Sequence, residues 1–152
     1  MNLRRVFPYG IRFQEGGTLE TFPMAEVDVL SKNGEGIHAV FHIDSGATTS
    51  ALPAVDAEAL GISLKKGKQI LVRGILGDGA MGYIHEVTLR FDQKNEFRIP
   101  VIFVEHESMP RILGREGLFN QFALIFEESK NRTGFFATKT KEATIISSIL
   151  DT

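Results

Sequence analysis

Phe41-His42-Ile43-Asp44-Ser45-Gly46-Ala47-Thr48-Thr49-Ser50-Ala51-Leu52-Pro53 is the stretch on which the reading of this chain turns. An apolar strand runs directly into an aspartate, then into small and hydroxylated residues, then into a helix start. A carboxylate at the end of an apolar strand is costly unless it is paired or hydrogen-bonded. Ser45, Gly46 and Ala47 can supply backbone N–H groups and a hydroxyl to it. Gly46 also lets the backbone come close to whatever sits at the carboxylate.

Outward from this stretch the apolar residues mostly alternate, the period of strands. Ala25, Val27 and Val29 alternate with Glu26 and Asp28. A turn at residues 31–36 follows, and Ile37–Ile43 reads as a buried strand, so residues 24–43 form a hairpin. Gln69–Leu76 and Tyr83–Phe91 read as strands joined by a glycine-rich tip, and Arg98–Val104 as another. Phe122–Phe126 and Gly134–Ala137 flank Lys130-Asn131-Arg132-Thr133 as a last hairpin. Two short helices are predicted. One starts at Pro53, runs over Val55–Leu60 and stops at Gly61. The other spans roughly Arg115–Asn120, after Gly114. Residues 1–138 are read as a single domain and 139–152 as a C-terminal tail, a frayed end or an interaction segment. The fold class is mainly β, a sandwich or closed sheet.

Composition bounds the function. At 152 residues, with 43% hydrophobic and 24% charged residues, the chain can bury a core. The net charge of −2 gives no electrostatic reason for a nucleic-acid or anionic-membrane partner. The longest apolar run, Ile99–Val104, is far short of the ~20 residues of a membrane span. The N-terminus lacks the apolar stretch of a secretory signal. There is no cysteine, which excludes disulfides, thiol nucleophiles and cysteine-ligated metals and fits a cytoplasmic location. His38 and His42, four residues apart on a strand, are ~13 Å apart and cannot share a metal ion. No metal and no cofactor are expected.

The Asp44-Ser45-Gly46-Ala47 run resembles the signature of the retroviral-type aspartic proteases, the retropepsins. Two further elements carry the resemblance. Ile112-Leu113-Gly114-Arg115-Glu116 is similar to the family's later motif of two apolar residues followed by Gly-Arg-Asp/Asn. Residues 73–83, with Gly74, Gly77, Gly79 and Gly82, fill the slot of its flap hairpin. The resemblance implies a retropepsin-like closed β-barrel or sandwich with a flap hairpin. It implies Asp44 as catalytic residue, with Ser45, Gly46 and Ala47 as the supporting loop and Gly114 and Arg115 as structural residues. His42, Thr48, Gly77, Asp78, Gly79 and Ile112 are the implied substrate-binding residues. Strand alternation would turn His42 the same way as Asp44, into the cleft wall; the alternative is a structural histidine at the rim. Thr48 departs from the family, which places there an aspartate that pairs with the arginine of the second motif. Some other carboxylate, such as Glu116, is then expected beside Arg115.

Only one Asp-Thr/Ser-Gly occurs in the chain, since Asp28, Asp56, Asp78, Asp92 and Asp151 lack that context. A single such aspartate builds a dyad only by two-fold pairing with its own copy, so a homodimer is expected. Two carboxylates at ~3 Å share a proton. One acts as base on a water, and the protonated one donates to the scissile carbonyl. The implied activity is that of an aspartic endopeptidase on extended peptides, with a bell-shaped pH-rate profile. The alternative is a catalytically silent peptide-binding or dimerisation module on the same fold. Relatives of this type use a C-terminal hairpin at the dimer seam. Phe122, Phe126, Phe135 and Phe136 would suit either that seam or the core.

Two motifs mislead. Gly77-Asp78-Gly79-Ala80-Met81-Gly82 fits Gly-x-Gly-x-x-Gly, but that fingerprint needs a helix after it, and Tyr83–Leu89 alternates like a strand. Asn131-Arg132-Thr133 is a formal glycosylation sequon that reads as a turn.

Overall fold

The structure, a computed structural model, describes residues 2–74 and 77–152, with backbone only at Gly74, Gly77 and Asp78. The chain opens with β1 (Arg4–Pro8), β2 (Gly10–Phe13) and β3 (Leu19–Phe22). β4 (Met24–Leu30) and β5 (Gly36–Ile43) form the hairpin read from the sequence, in register Met24↔His42 to Leu30↔Gly36. Next come β6 (Ser50–Pro53) and α1 (Ala54–Ala59), which starts on Pro53 and ends before Gly61. β7 (Lys68–Gly74), β8 (Gly77–Asp92) and β9 (Asn95–Val104) make an antiparallel meander. β10 (Ile112–Leu113), β11 (Phe122–Glu127), β12 (Arg132–Ala137) and α2 (Lys141–Leu150) complete the order.

The main sheet runs β4-β5-β10-β6-β9-β8-β7, and β4 also pairs with β8 through Asp28↔Arg90, Val29↔Leu89 and Leu30↔Thr88. Pairing therefore passes round from β4 to β8 and back to β4, so the sheet closes on itself. Closure needs one strand to serve two neighbours, and the 16-residue β8 is long enough to do so. The interior is filled by alternating side chains. Phe41, Phe103, Leu52, Leu60, Leu89, Ile99 and Leu113 are fully buried there. Each contributes roughly 1.5–3 kcal/mol through removal of apolar surface from water.

Three differences from the sequence reading have physical causes. Gly77 opens β8 and Gly79 and Gly82 lie within it, while residues 75–76, the end of the expected strand Gln69–Leu76, are outside the described residues. Glycine is compatible with a strand where a neighbouring backbone or side chain comes close, and a Cβ at Gly82 would meet Ile102 Cγ2 at 2.6 Å. The predicted helix at 115–120 is a series of turns followed by a 3-10 turn at Phe119–Gln121. Gly117 has φ +75, a left-handed conformation that interrupts a right-handed helix, while Leu118 anchors the turn in the core. Third, residues before Met24 form strands. Their faces are largely exposed, so backbone pairing holds them without a buried apolar alternation to mark them.

β1 adds to β12, with Arg4↔Phe136 to Pro8↔Arg132, making a three-stranded sheet β1-β12-β11. The phenylalanines of this sheet divide between two surroundings. Phe122 and Phe135 pack with Phe7, Phe91 and Phe97 at centroid distances of 5.1–6.3 Å in tilted and edge-on arrangements. Phe126, in contrast, is exposed. The tail forms α2, capped by buried Thr140, whose hydroxyl accepts the Ala143 N–H at 3.3 Å. Arg4 bridges Glu142 at 2.8 Å, fastening α2 to β1. No helix among the described residues is long and apolar enough to cross a membrane.

Candidate active site

The site is assembled by β10, a strand of two residues inserted between β5 and β6. It runs parallel to β5 (Ile112↔His42, Leu113↔Ile43) and antiparallel to β6 (Ile112↔Ala51). The two motifs, far apart in sequence, thereby become neighbours. The Asp44 N–H donates to the Leu113 carbonyl at 3.0 Å, and the His42 N–H to the Arg111 carbonyl at 2.9 Å. Beyond β5 the loop is sewn to the segment after β10. Arg115 N–H donates to Ala47 O at 3.0 Å and Glu116 N–H to Thr48 O at 2.8 Å.

Within the loop, the Gly46 and Ala47 N–H groups donate to Asp44 Oδ1 at 2.8 and 3.2 Å. Both bonds fall on one oxygen. Oδ2 accepts none from the described residues and is left for other chemistry. Asp44 is half-buried, and Ser45 beside it is exposed. The backbone must pass closely here. A Cβ at Gly114 would lie 2.7 Å from Thr49 C and 2.8 Å from its carbonyl oxygen, so only glycine lets the two segments meet. Gly114 N–H donates to the buried Ser50 hydroxyl at 3.0 Å, which pins β10 to β6.

Asp44 opens into a cleft of ≈ 370 Å³. Ala47, Ala51, Val72, Ile102, Met109 and Ile112 give it apolar walls, and among the described side chains Asp44 and Arg73 are the charged ones that line it. Such a cavity, largely apolar with few polar groups, suits a side chain or short peptide segment.

The expected site residues fall into three groups. Asp44, Gly46, Ala47 and Ile112 converge on the cleft. Gly77 and Gly79 lie at the start of β8, while the side chain of Asp78 is outside the described residues. His42 and Thr48 lie elsewhere. His42, in β5 two residues before Asp44, is not among the residues that line the cleft. Its ring stacks on Phe22 of β3, centroids 3.9 Å apart and 8° from parallel. Burial there pushes the imidazole below its ordinary pKa, and Arg12 pushes the same way. Thr48 is exposed, its hydroxyl 3.5 Å from Arg115 Nη2.

The acid expected beside Arg115 is absent among the described side chains. Glu116 instead accepts the Thr49 hydroxyl at 2.8 Å. Arg115 is exposed, so water meets its charge and the argument from burial does not apply. An ion pair with a buried carboxylate lies instead at a partly exposed Arg111 and Asp56, which the sequence reading passed over. Arg111 Nε and Nη2 donate to Asp56 Oδ2 and Oδ1 at 2.7 and 2.8 Å. An Asp in the first turn of a helix was the available signal, and nothing local named its partner. Arg73 and Ile102 were also missed, being carried to the cleft by the pairing of β7, β8 and β9, as was Met109, which the loop between β9 and β10 brings there.

Residues 25–116 match the aspartyl protease family. The chain belongs to that family. The matched region runs from β4 to just past β10 and so contains the whole Asp44 loop and its clasp. The chain also has a retropepsin-like fold. A solved structure of a retropepsin-like aspartic protease from Rickettsia conorii superposes with a TM-score of 0.57 at 18% identity, covering 86% of this chain and 97% of that one. No curated protein sequence shows significant similarity to the chain. Family membership carries with it a peptide as the class of substrate, and among the described residues no cluster of three or more His, Cys, Asp or Glu side chains could hold a metal ion.

Proposed function

We propose that this chain is an aspartic endopeptidase active as a homodimer, with Asp44 of one copy facing Asp44 of the other across a two-fold axis. The observation that carries the reading is the single Asp-Ser-Gly loop. Its carboxylate is held through Oδ1 by two N–H groups, and Oδ2, at the edge of an apolar cleft, accepts no hydrogen bond from the described residues. One such carboxylate cannot act as both base and acid in one turnover, and an isologous contact supplies the second. In the dimer one carboxylate takes a proton from water while the protonated partner donates to the scissile carbonyl oxygen. Water adds to the carbonyl carbon, the C–N bond breaks, and the amine leaves with a proton. No covalent intermediate and no cofactor is needed. In this reading Ser45, exposed next to Asp44, meets its copy at the dimer contact, and Gly114 and Arg115 hold the loop from behind. The hairpin of β7 and β8 covers an extended peptide, with Gly77 and Gly79 near its turn.

The test joins activity to assembly. Wild type and Asp44→Asn are compared on a mixed peptide library, and both are weighed by sedimentation. Cleavage by wild type, its loss by at least about 10³-fold in the variant, and a dimer in both is the expected result. Cleavage by a protein that stays monomeric at the assay concentration overturns the shared dyad. Equal cleavage by the two proteins overturns Asp44 as the catalytic residue.

A further inference from the structure

We infer that Arg73 sets the charge specificity of the cleft, selecting a peptide that carries a carboxylate side chain close to an apolar scissile segment. The inference rests on the proposal that this cleft is the catalytic one. Its walls are apolar, and Arg73 is the cationic residue lining it. The position is built by the backbone. β7 and β8 pair at Val72↔Ala80 and again at Gly74↔Gly77, so two residues of β8, Asp78 and Gly79, stand opposite the single residue Arg73. That count defines a β-bulge, a device that re-aims a side chain beside a site. Gly79 has φ +89, and a Cβ there would press on Val72 O at 2.9 Å, so the bulge depends on glycine at this point.

Arg73 is exposed, and none of the acids whose side chains are described lies within ion-pair distance of it. Asp44 takes its hydrogen bonds from Gly46 and Ala47 rather than from this guanidinium. A planar fork of N–H donors at the wall of an apolar cleft matches a carboxylate in a two-pronged bond. A bound peptide displaces water and strengthens the attraction, and it makes a lysine at the same place costly. The two-fold copy contributes a second Arg73. The favoured substrate is therefore apolar around the bond that is cut and has Glu or Asp on either side, at positions related by the axis.

The experiment uses a peptide panel with a fixed apolar centre and Glu, Gln or Lys walked through the flanking positions. kcat/KM is measured for wild type, Arg73→Gln and Arg73→Glu, and the same peptides are bound to Asp44→Asn with and without the Arg73 changes. At one flanking position wild type should prefer Glu over Gln by about tenfold, the scale of one charged hydrogen-bonded contact. The ratio should shrink as salt rises. Arg73→Gln should bring it within about twofold, and Arg73→Glu should turn the preference toward Lys. The same Glu:Lys ratio in all three proteins overturns the role of Arg73 while leaving the peptidase intact. If wild type cuts nothing but binding follows the Glu preference and reverses in Arg73→Glu, the peptidase reading fails and the role of Arg73 stands. Neither binding nor cleavage overturns both.

Discussion

Arg111 grips Asp56 with two parallel hydrogen bonds, 2.7 and 2.8 Å long, although 55 residues separate them in the chain. Asp56 is buried, at 4% exposure, in the first turn of α1. Arg111 immediately precedes β10, and its carbonyl accepts the His42 N–H. The pair therefore ties α1 to the strand that clasps the Asp44 loop. The bond to Asp56 holds the guanidinium more firmly protonated than usual.

Removing Arg111 strands a buried carboxylate. Arg111→Ala should cost roughly 2–4 kcal/mol, near the lower part of the range for a broken buried pair because the arginine side chain is partly exposed. Thermal unfolding should fall by about 5–10 °C for a chain of this size. Arg111→Lys keeps the charge but not the fork and should recover only part of the loss. A melting temperature within one degree of wild type for Arg111→Ala would refute the structural role.

Gly114→Ala should disturb both stability and catalysis. The new methyl group would sit within 2.7–3.0 Å of the Thr49 and Ser50 backbones, which cannot swing aside as a side chain can. The cost should be about 1–3 kcal/mol. The displaced strand carries Leu113 O, the acceptor of the Asp44 N–H, so peptide cleavage should drop more than the folded fraction does. Parallel measurement of denaturant midpoint and kcat separates the two effects. Unchanged kcat with reduced stability would show that β10 does not position the aspartate.

His38 and His42 should respond to pH with opposite signs. His38 Nδ1 meets Asp28 and Nε2 meets Glu26, each at 2.8 Å, an arrangement that favours the doubly protonated ring. Its pKa is raised, first by the bond to Asp28 and then by that to Glu26, while Asp28 is lowered in return. The stability from His38 is thus full below its unfolded value of ~6.5 and is lost as pH rises through the folded value. That from Asp28 is present above ~3.9 and lost as pH falls. His42 is lowered by burial, so its stabilising share is present above ~6.5 and lost as pH falls below that through its lower folded value. NMR titration should show His38 above and His42 below the ordinary range, and Phe22→Ala should raise His42 by exposing its ring. In His38→Gln the fall in melting temperature between pH 6 and pH 8.5 should lessen by about 1–2 °C, the modest effect of an exposed pair. A His42 pKa that Phe22→Ala leaves in place would refute the stacking account.

Much of the site was legible because its signals are local. Asp44, Gly46 and Gly114 stand out by residue type at fixed offsets. The β4–β5 hairpin follows from Ala25, Val27 and Val29 alternating beside a turn, and α1 from Pro53 and Gly61 at its ends. Of the two readings of His42, the stack on Phe22 fits a structural histidine, and its partner in β3 lies in a strand that no apolar alternation marks. The Arg115–Asn120 helix was misread because sequence pattern does not reveal that Gly117 adopts a left-handed turn.

The sequence by itself determined the β4–β5 hairpin, α1, the loop that holds an aspartate and the class of chemistry that loop suits, since each depends on neighbours a few residues apart. The tertiary structure alone decided that β10 lies between β5 and β6, that β4 closes on β8, that Asp56 meets Arg111 and that a bulge turns Arg73 to the cleft wall. These depend on register between distant strands. Register is set by how the whole set of side chains shares one interior, and no local window of sequence contains that constraint.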